Sequence, residues 1–162
     1  MSATPLTAAV ITVSDRSARG ERVDASGPVA VDALRTAGFA CLDATIVADG
    51  ADSVTSALRA ALAAGARLII TSGGTGVGPR DATPEGTSVV LERAVPGIAE
   101  ELRRAGAAEK PAGMLTRGLA GVTGHALIVN LPGSPAGVAS GMPIVLSVAR
   151  HVIDQLAGGD HG

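Results

Sequence analysis

The sequence predicts an α/β fold: a three-layer α/β/α sandwich with a mainly parallel, mixed central sheet, in one domain over residues 1–162. Short apolar runs typical of buried strands alternate with helical segments of about 10–15 residues, as in right-handed crossovers between parallel strands. The 162 residues, 46% hydrophobic and 17% charged, suffice for one core and are few for two domains. No internal repeat or linker interrupts this pattern.

The first part of the chain predicts two strands around one helix. Ala8–Val13 is a β-branched apolar run and predicts the first strand. The polar segment Ser17–Ala25 lacks periodicity and predicts a surface loop. Ser26-Gly27-Pro28 predicts a helix start with proline in the first turn, and Gly38 predicts the end of that helix. Phe39–Val47 predicts the second strand.

The middle of the chain predicts a helix, a strand and a glycine loop that leads into another helix. Asp52 is expected to cap an alanine- and leucine-rich helix over Ser53–Ala64, with Gly65 as its stop. Leu68–Thr71 predicts the third strand. After the glycine loop, Thr83 is a suitable N-cap and Pro84 fits the first helical position.

The last third predicts two helices separated by a hairpin. Ile98–Arg104 has helical spacing. Leu119–Val122 and Ala126–Leu131 predict two strands joined about Thr123-Gly124. Pro143 is expected to break or start a helix that runs through His151 to Leu156.

Composition argues against several function classes. A formal net charge of −2 and one aromatic ring, Phe39, provide neither the basic face nor the stacking platform of a nucleic-acid-binding protein. Cys41, the one cysteine, is expected to be a small buried hydrophobe rather than a nucleophile. No basic targeting region opens the chain, and no uninterrupted apolar run reaches the roughly 18 residues of a membrane span. We therefore expect a cytoplasmic protein with no nucleic-acid or membrane partner.

Polar clusters follow four of the predicted strands. They are Ser14-Asp15-Arg16, Asp49, the loop Gly73–Asp81, and the segment from Asn130 to Pro135. In an open parallel sheet, ligands bind beyond the carboxyl ends of the strands, where loops converge. We therefore expect these clusters to meet on one rim.

The glycine loop is the clearest candidate for an anion site. Its backbone N–H groups are not blocked by side chains, and the following helix adds a favourable dipole, although a plain tight turn is the alternative. It is not a Walker A loop, because no Lys-Ser or Lys-Thr pair follows the glycines. It does not fit G-x-G-x-x-G either, because Pro79 occupies the place of the last glycine.

Charged and polar residues around this loop have two interpretations each. Asp49 and Asp81 are suited to hold a divalent ion against a phosphate, and ordinary capping or turn chemistry is the alternative. Arg80 offers a planar fork for a phosphate. Asn130 and Ser134 flank a rigid turn that either presents polar groups to a ligand or is purely structural.

Together these strings resemble the MogA/MoaB molybdopterin-binding family over nearly the whole chain, in order and in spacing. The combination is more specific than any single string. The strings that carry the resemblance are Val10–Arg16, Asp24–Pro28, Thr71–Gly76, Pro79–Glu85, Pro96–Glu100, Leu115–Gly121, Asn130–Pro135 and Gly158–His161.

The resemblance implies a compact molybdopterin-binding (MogA-like) fold, commonly trimeric, that acts in molybdenum cofactor biosynthesis. Members of the adenylyltransferase type join molybdopterin to AMP from ATP, with Mg²⁺, and release pyrophosphate. The resemblance assigns Asp81 to metal and phosphate activation and Asp49 to holding substrate, with both as the catalytic and metal-binding residues. The residues it implies for substrate and phosphate binding are Ser14, Asp15, Thr71, Ser72, Gly73, Gly74, Thr75, Gly76, Arg80, Asn130, Pro132, Gly133 and Ser134.

Three functions remain open at this point. The first is the adenylyltransferase, which needs Asp49 and Asp81 at strand ends around the glycine loop. The second is a non-catalytic carrier or scaffold module that binds molybdopterin but not ATP. The third is a generic nucleotide-binding domain unrelated to pterins.

Overall fold

The computed structural model describes residues 4–159, in which a seven-stranded sheet lies between two layers of helices. Met1 to Ala3 at the start of the chain, and Asp160 and His161 of the resemblance, lie outside the described residues. The strands are β1 (Thr7–Val13), β2 (Ala40–Cys41), β3 (Thr45–Val47), β4 (Leu68–Ser72), β5 (Arg93–Ala94), β6 (Ala120–Thr123) and β7 (Ala126–Leu131). The helices are α1 (Asp15–Ala18), α2 (Ser26–Thr36), α3 (Ala51–Ala63), α4 (Thr83–Ser88), α5 (Pro96–Glu109) and α6 (Pro135–Leu156), with a 3₁₀ helix at Pro111–Leu115.

The sheet is mixed and mainly parallel, as predicted. Its order is β2-β1-β4-β7-β6-β5, with β3 also paired to β1. Strands β1, β2, β3, β4 and β7 run parallel, whereas β6 is antiparallel to β7 and β5 is antiparallel to β6. The predicted hairpin is confirmed, with Gly124 at a φ of +55° in its turn. This order places β1, β4 and β7 side by side with their carboxyl ends at one edge.

Alternating side chains of the central strands supply two separate cores. Ile70 and Val129 belong to the larger core, which lies under α2, α5 and α6. Ile69 and Ile128 belong to the smaller core, which lies under α3. Because successive strand residues point to opposite faces, one apolar run fills both layers. The three-layer sandwich is therefore confirmed.

Two helix stops were predicted correctly, and two helix caps were not. Gly38 and Gly65 follow their helices at φ values of +92° and +93°, a conformation that other residues rarely adopt. Asp52 makes no cap and lies in the first turn of α3, whose N-cap position is Gly50. Thr83 is the first residue of α4, and its hydroxyl donates to the Gly73 carbonyl at 2.9 Å instead of capping the helix.

The predicted loop Ser17–Ala25 and the predicted strand Phe39–Val47 both need correction. The loop begins inside α1, which is stabilised by the Ser14 hydroxyl accepting from the Ser17 N–H at 3.2 Å. The strand is split into β2 and β3 because one extra residue separates their registers against β1. Cys41, in the first of these strands, is half-buried rather than fully buried, and burial raises the pKa of its thiol.

Pro143 neither breaks nor starts the last helix, since α6 runs through it from Pro135 to Leu156. A continuous apolar stripe from Val138 to Ile153 packs into the larger core on both sides of the proline. Within residues 4–159, α6 is the one helix long and apolar enough to cross a membrane by length and composition alone. A third of its most apolar stretch is buried inside the fold.

Candidate active site

A cleft of about 1010 Å³ opens at the carboxyl ends of β1 and β4, where the predicted clusters converge. The following predicted residues line it: Ser14, Asp15, Asp49, Ser72, Gly73, Gly74, Thr75, Gly76, Asp81, Gly133 and Ser134. Thr71, Arg80, Asn130 and Pro132 were also predicted, but they do not line this cleft. The convergence expected from the strand ends is therefore found for most of the predicted residues.

The glycine loop is fixed to the sheet at its start. The Gly73 N–H donates to the Leu131 carbonyl at 3.0 Å, and the Thr83 N–H donates to the Gly74 carbonyl at 3.0 Å. Gly73 and Gly74 have φ values of +105° and +68°, and side chains there would collide with the Val13 carbonyl and the Thr83 hydroxyl respectively. Both positions therefore require glycine for close packing as well as for backbone conformation.

The rest of the loop keeps backbone donors available. Within residues 4–159, the N–H groups of Gly74, Thr75 and Gly76 donate to no protein acceptor. All three residues line the cleft. Consecutive backbone N–H groups without partners form the kind of concavity that binds an anion.

Arg117 clamps this loop, a role that the sequence analysis missed. Its guanidinium donates to the Gly76 carbonyl at 2.8 Å and to the Asp81 carbonyl at 3.0 Å, and its Nη1 lies 2.6 Å from a Glu85 carboxylate oxygen. Its backbone N–H donates to the Thr75 carbonyl at 2.7 Å. The one signal in the sequence was its place in the string Leu115–Gly121, far along the chain from the loop it holds.

Asp15 and Asp49 exchange hydrogen bonds between backbone and carboxylate. The Asp15 N–H donates to Asp49 Oδ2, and the Asp49 N–H donates to Asp15 Oδ1, each at 3.0 Å. Arg80 Nε and Nη2 donate to the Asp15 carboxylate at 3.0 and 3.1 Å, and Nη2 also reaches the Asp49 carbonyl at 2.9 Å. The predicted phosphate fork is therefore paired with a carboxylate in this structure.

The charges of these groups are set by their surroundings. Burial raises the pKa of Asp49, and the nearby carboxylates of Asp15 and Asp81 raise it further. The hydrogen bond from Arg80 lowers the pKa of Asp15. A cation between Asp49 and Asp81 would relieve this repulsion and favour the ionised form of Asp49.

Asp81 closes the far end of the glycine loop. Its carboxylate accepts from the Gly78 N–H at 2.9 Å, and its own N–H donates to the Gly78 carbonyl at 3.1 Å. Side chains at Gly76 or Gly78 would come within 3.0 Å of the same carboxylate oxygen. The loop therefore wraps closely around this carboxylate, which still faces the cleft.

The donor set at Asp49 and Asp81 fits Mg²⁺ held jointly with a phosphate. Mg²⁺ usually binds through one or two carboxylates together with waters and substrate phosphates, rather than in an all-protein cage. The two carboxylates beside the open amides of the glycine loop match that requirement.

Thr71 and Asn130 are buried beneath the cleft and form a structural network. Asn130 Nδ2 donates to the hydroxyls of Thr71 at 2.9 Å and Thr87 at 3.0 Å, and Oδ1 accepts from the Leu119 N–H at 3.0 Å. No buried side-chain polar atom in the described part of the chain lacks a partner. Asn130 therefore ties β4 and α4 to Leu119, the residue before β6, in this structure.

The turn after β7 contributes Gly133 and Ser134 to the lining of the cleft. The Pro132 carbonyl is hydrogen-bonded to the Ser72 hydroxyl at 3.0 Å, which also contacts the Ser26 hydroxyl at 2.9 Å. Ser134 is the N-cap of α6 and accepts from the Gly137 N–H at 3.0 Å. Gly133 would bring a side chain within 3.3 Å of Gly73 Cα, so the turn and the glycine loop pack closely.

Asp24 is a second residue that the sequence analysis left without a role of its own. Its carboxylate accepts from the Thr12 hydroxyl at 2.8 Å and from the Gly27 N–H at 3.0 Å. It thereby links β1 to the first turn of α2, close to the cleft that it lines. Position 27 requires glycine, since a side chain there would collide with this carboxylate.

Comparisons with known proteins agree with this architecture. A family model described as a probable molybdopterin binding domain matches residues 9–151. The chain is 40% identical over 155 residues to a molybdenum cofactor biosynthesis bifunctional protein of Synechococcus elongatus, covering 96% of this chain and 49% of that protein. It is 37% identical over 150 residues to a molybdopterin adenylyltransferase of Pyrococcus furiosus, covering 89% of this chain and 87% of that protein.

A solved structure of a molybdopterin biosynthesis protein is also similar to this chain. The molybdopterin biosynthesis Mog protein of Mycobacterium ulcerans superposes with a TM-score of 0.88 at 46% identity, over 93% of this chain and 99% of that one. The chain spans about half the length of the S. elongatus relative, 49%, but nearly all of the M. ulcerans chain.

Proposed function

The chain belongs to the molybdopterin-binding domain family, and from that membership we propose that it acts in molybdenum cofactor biosynthesis by transferring AMP from ATP to molybdopterin. Relatives named molybdopterin adenylyltransferase match 89–92% of the chain, which supports this activity. Because the chain spans half of the bifunctional relative, the proposal concerns this reaction alone. We further propose that residues 1–162 form a single molybdopterin-binding domain.

The observation that carries the proposal is the meeting of Asp49 and Asp81 with the open amides of the glycine loop in one cleft. In the reaction, a terminal phosphate oxygen of molybdopterin forms a bond to the α-phosphorus of ATP. The bond from that phosphorus to the bridging oxygen breaks, and pyrophosphate leaves with its electron pair. Such a transfer depends mainly on positioning and on neutralising charge, and the carboxylates and unpartnered amides of this cleft support that role.

The proposed roles follow from the contacts. The amides of Gly74, Thr75 and Gly76 would bind phosphate oxygens, and Asp49 and Asp81 are the residues that would hold Mg²⁺. When bound, Mg²⁺ would polarise the phosphate and offset the charge that develops on its oxygens. The hydrogen bonds of Asp49 to Asp15 and of Asp81 to Gly78 fix the two carboxylates in place.

We propose that ring recognition uses backbone and aliphatic groups. Phe39 is buried in the larger core beneath the Arg150 guanidinium, 4.5 Å from the ring centroid, and does not line the cleft. Val23 lines the cleft and is 88% exposed, so it offers an aliphatic surface to a flat ring. A pterin or adenine would thus be held without an aromatic sandwich.

The test is transfer of AMP from α-labelled ATP to molybdopterin in the presence of Mg²⁺. Asp81→Asn and Asp49→Asn are each expected to lower the rate by about a hundredfold, by analogy with the loss of one stabilising group at a phosphate or oxyanion site. Asp52→Asn is the matched control, because this exposed aspartate lies on α3 outside the cleft and its substitution removes the same charge. Full activity in Asp81→Asn, or no product from the wild-type protein, would contradict the proposal. Molybdopterin binding without binding of Mg²⁺-ATP would instead identify a non-catalytic carrier.

We also propose a cytoplasmic homotrimer. Support for an interface between copies comes from large apolar side chains at the surface: Leu42, Val89, Met114 and Leu115 are 86%, 63%, 60% and 54% exposed. Burying such side chains favours association. Light scattering is expected to give three times the chain mass, and a monomer at working concentration would refute this assembly.

A further inference from the structure

The cleft contains a group of arginines that the proposed roles leave unused. Arg16, Arg19 and Arg22 all line it, alongside Asp49 and Asp81. Arg19 and Arg22 were not predicted site residues, and Arg16 was predicted only as a member of the cluster Ser14-Asp15-Arg16, without a role of its own. All three are exposed on the short segment between β1 and α2.

The arginines around the cleft differ in whether they already have a partner. Arg19 donates to both Glu21 carboxylate oxygens, at 2.9 and 3.3 Å, and Arg80 is paired with Asp15. Arg16 and Arg22 make no ion pair and no side-chain hydrogen bond to any residue in the range 4–159. Two guanidiniums are therefore open to a ligand in the cleft.

The backbone that carries these two arginines is held at both ends. The Glu21 N–H donates to the Arg16 carbonyl at 2.9 Å, which closes the end of α1, and Gly20 has a φ of +74° there. Just beyond Arg22, the Asp24 carboxylate is fixed by Thr12. The positions of both residues on the wall of the cleft are thus defined even though their side chains extend freely.

The charge pattern of the cleft matches that of a metal–polyphosphate complex. Asp49 and Asp81 provide negative charge for a cation beside the glycine loop. Phosphates beyond the reach of that cation keep their negative charge and need positive partners, for which planar guanidiniums are well suited. Arg16 and Arg22 supply that charge in the same cleft.

We propose that Arg16 and Arg22 bind the two terminal phosphates of the nucleotide and stabilise them as they leave as pyrophosphate. This inference rests on the proposed adenylyl transfer and names the residues that bind its leaving group. As the bond from the α-phosphorus to the bridging oxygen breaks, the electron pair passes to that oxygen. The guanidiniums offset the charge that builds up on the departing diphosphate.

The experiment is calorimetric titration of the double variant Arg16→Gln/Arg22→Gln with inorganic pyrophosphate in the presence of Mg²⁺, and separately with AMP. Each exposed guanidinium is expected to contribute about threefold to affinity, so pyrophosphate binding should weaken by about tenfold. AMP has no terminal phosphates, so its affinity should stay within about twofold. Arg59→Gln is the matched control, since Arg59 is an exposed arginine on α3 outside the cleft and makes no ion pair within residues 4–159. Thermal unfolding of each variant verifies that it is folded.

Several outcomes would overturn the inference. They are unchanged pyrophosphate affinity in the double variant, an equal loss for AMP, an equal loss in Arg59→Gln, or no pyrophosphate binding by the wild-type protein. Weaker binding of molybdopterin with pyrophosphate unaffected would also overturn it, because the arginines would then bind the acceptor's phosphate. No transfer occurs in these titrations. A wild-type protein that binds pyrophosphate through these arginines but forms no adenylylated product would therefore refute the proposed function alone.

Discussion

Replacing Arg117 should release the glycine loop from the rest of the fold. The guanidinium joins the carbonyls of Gly76 and Asp81 to the Glu85 carboxylate, and its side chain is 37% exposed. Each hydrogen bond to a carbonyl at such a site contributes about 1 kcal/mol, and the exposed ion pair with Glu85 adds about 0.5 kcal/mol. We therefore expect Arg117→Ala to lower the free energy of unfolding by about 2–3 kcal/mol. For a domain of this size, that corresponds to a fall of about 5–10 °C in the melting temperature.

Glu85→Gln separates the two contributions, because it removes the ion pair and leaves the bonds to the carbonyls. Urea unfolding at neutral pH is expected to show a loss of about 0.5 kcal/mol or less for this variant. Arg117 lowers the pKa of Glu85, so the ion pair stabilises the protein above the ordinary pKa of glutamate and this gain is lost as the pH falls through the lowered value. The difference between wild type and Glu85→Gln should accordingly close in acid.

Two results would refute this reasoning. If Arg117→Ala melted at the same temperature as the wild-type protein, the bonds to the loop carbonyls would contribute nothing to stability. If Glu85→Gln lost as much stability as Arg117→Ala, the ion pair alone would account for the effect. Proteolysis of the loop between Gly76 and Asp81 should also become faster in Arg117→Ala, because the loop then opens more often.

Three further predictions concern the residues around the loop. Gly73→Ala should lower the free energy of unfolding in urea by more than about 2 kcal/mol, because the new side chain meets β1 at a residue with a positive φ. Gly65→Ala is the control, with a similar φ of +93° and nothing within 4 Å, and should cost about 1 kcal/mol; equal losses would contradict the clash. Asn130→Ala should cost about 3 kcal/mol in the same assay, because the buried hydroxyls of Thr71 and Thr87 and the half-buried Leu119 N–H lose their partner. A loss below about 1 kcal/mol would exclude a structural role. Because burial raises the pKa of Asp49, its ionised form destabilises the ligand-free fold at neutral pH, and this penalty vanishes in acid. Asp49→Asn should therefore raise the melting temperature at neutral pH but not in acid. A lower melting temperature at neutral pH would disprove this effect of burial.

Local glycine and strand patterns were sufficient to predict the layers of the fold. Gly38 and Gly65 end their helices with positive φ, and the continuous apolar runs of β4 and β7 account for the burial of both faces of these strands. Pro143 was misread because its local cost, about 3 kcal/mol in a helix interior, is outweighed by the burial of an apolar stripe on both sides. Periodicity on either side of a proline is therefore better evidence than the proline itself.

The site was predictable where its residues lie in sequence beside strand ends, and less so elsewhere. Asp15, Asp49 and Asp81 follow strands or the glycine loop directly, so topology brings them to the cleft. Arg117 reaches the loop from the turn before β6, a contact that no local pattern encodes. Asn130 was expected among the ligand-binding groups because it lies near a strand end. That position in the sequence does not distinguish a side chain that faces the cleft from one that is buried, as Asn130 is.

The fastening of the glycine loop by Arg117 and Thr83 also affects the kinetics of ligand capture. Fixing the backbone of one residue costs about 1–2 kcal/mol of conformational entropy, and in this loop that cost is met when the chain folds rather than when a ligand arrives. A ligand therefore meets amides already held in place and needs no slow rearrangement of the loop to bind. Association rates should accordingly be limited by diffusion and orientation, and differences in affinity among ligands of this cleft should arise mainly from how quickly each one leaves.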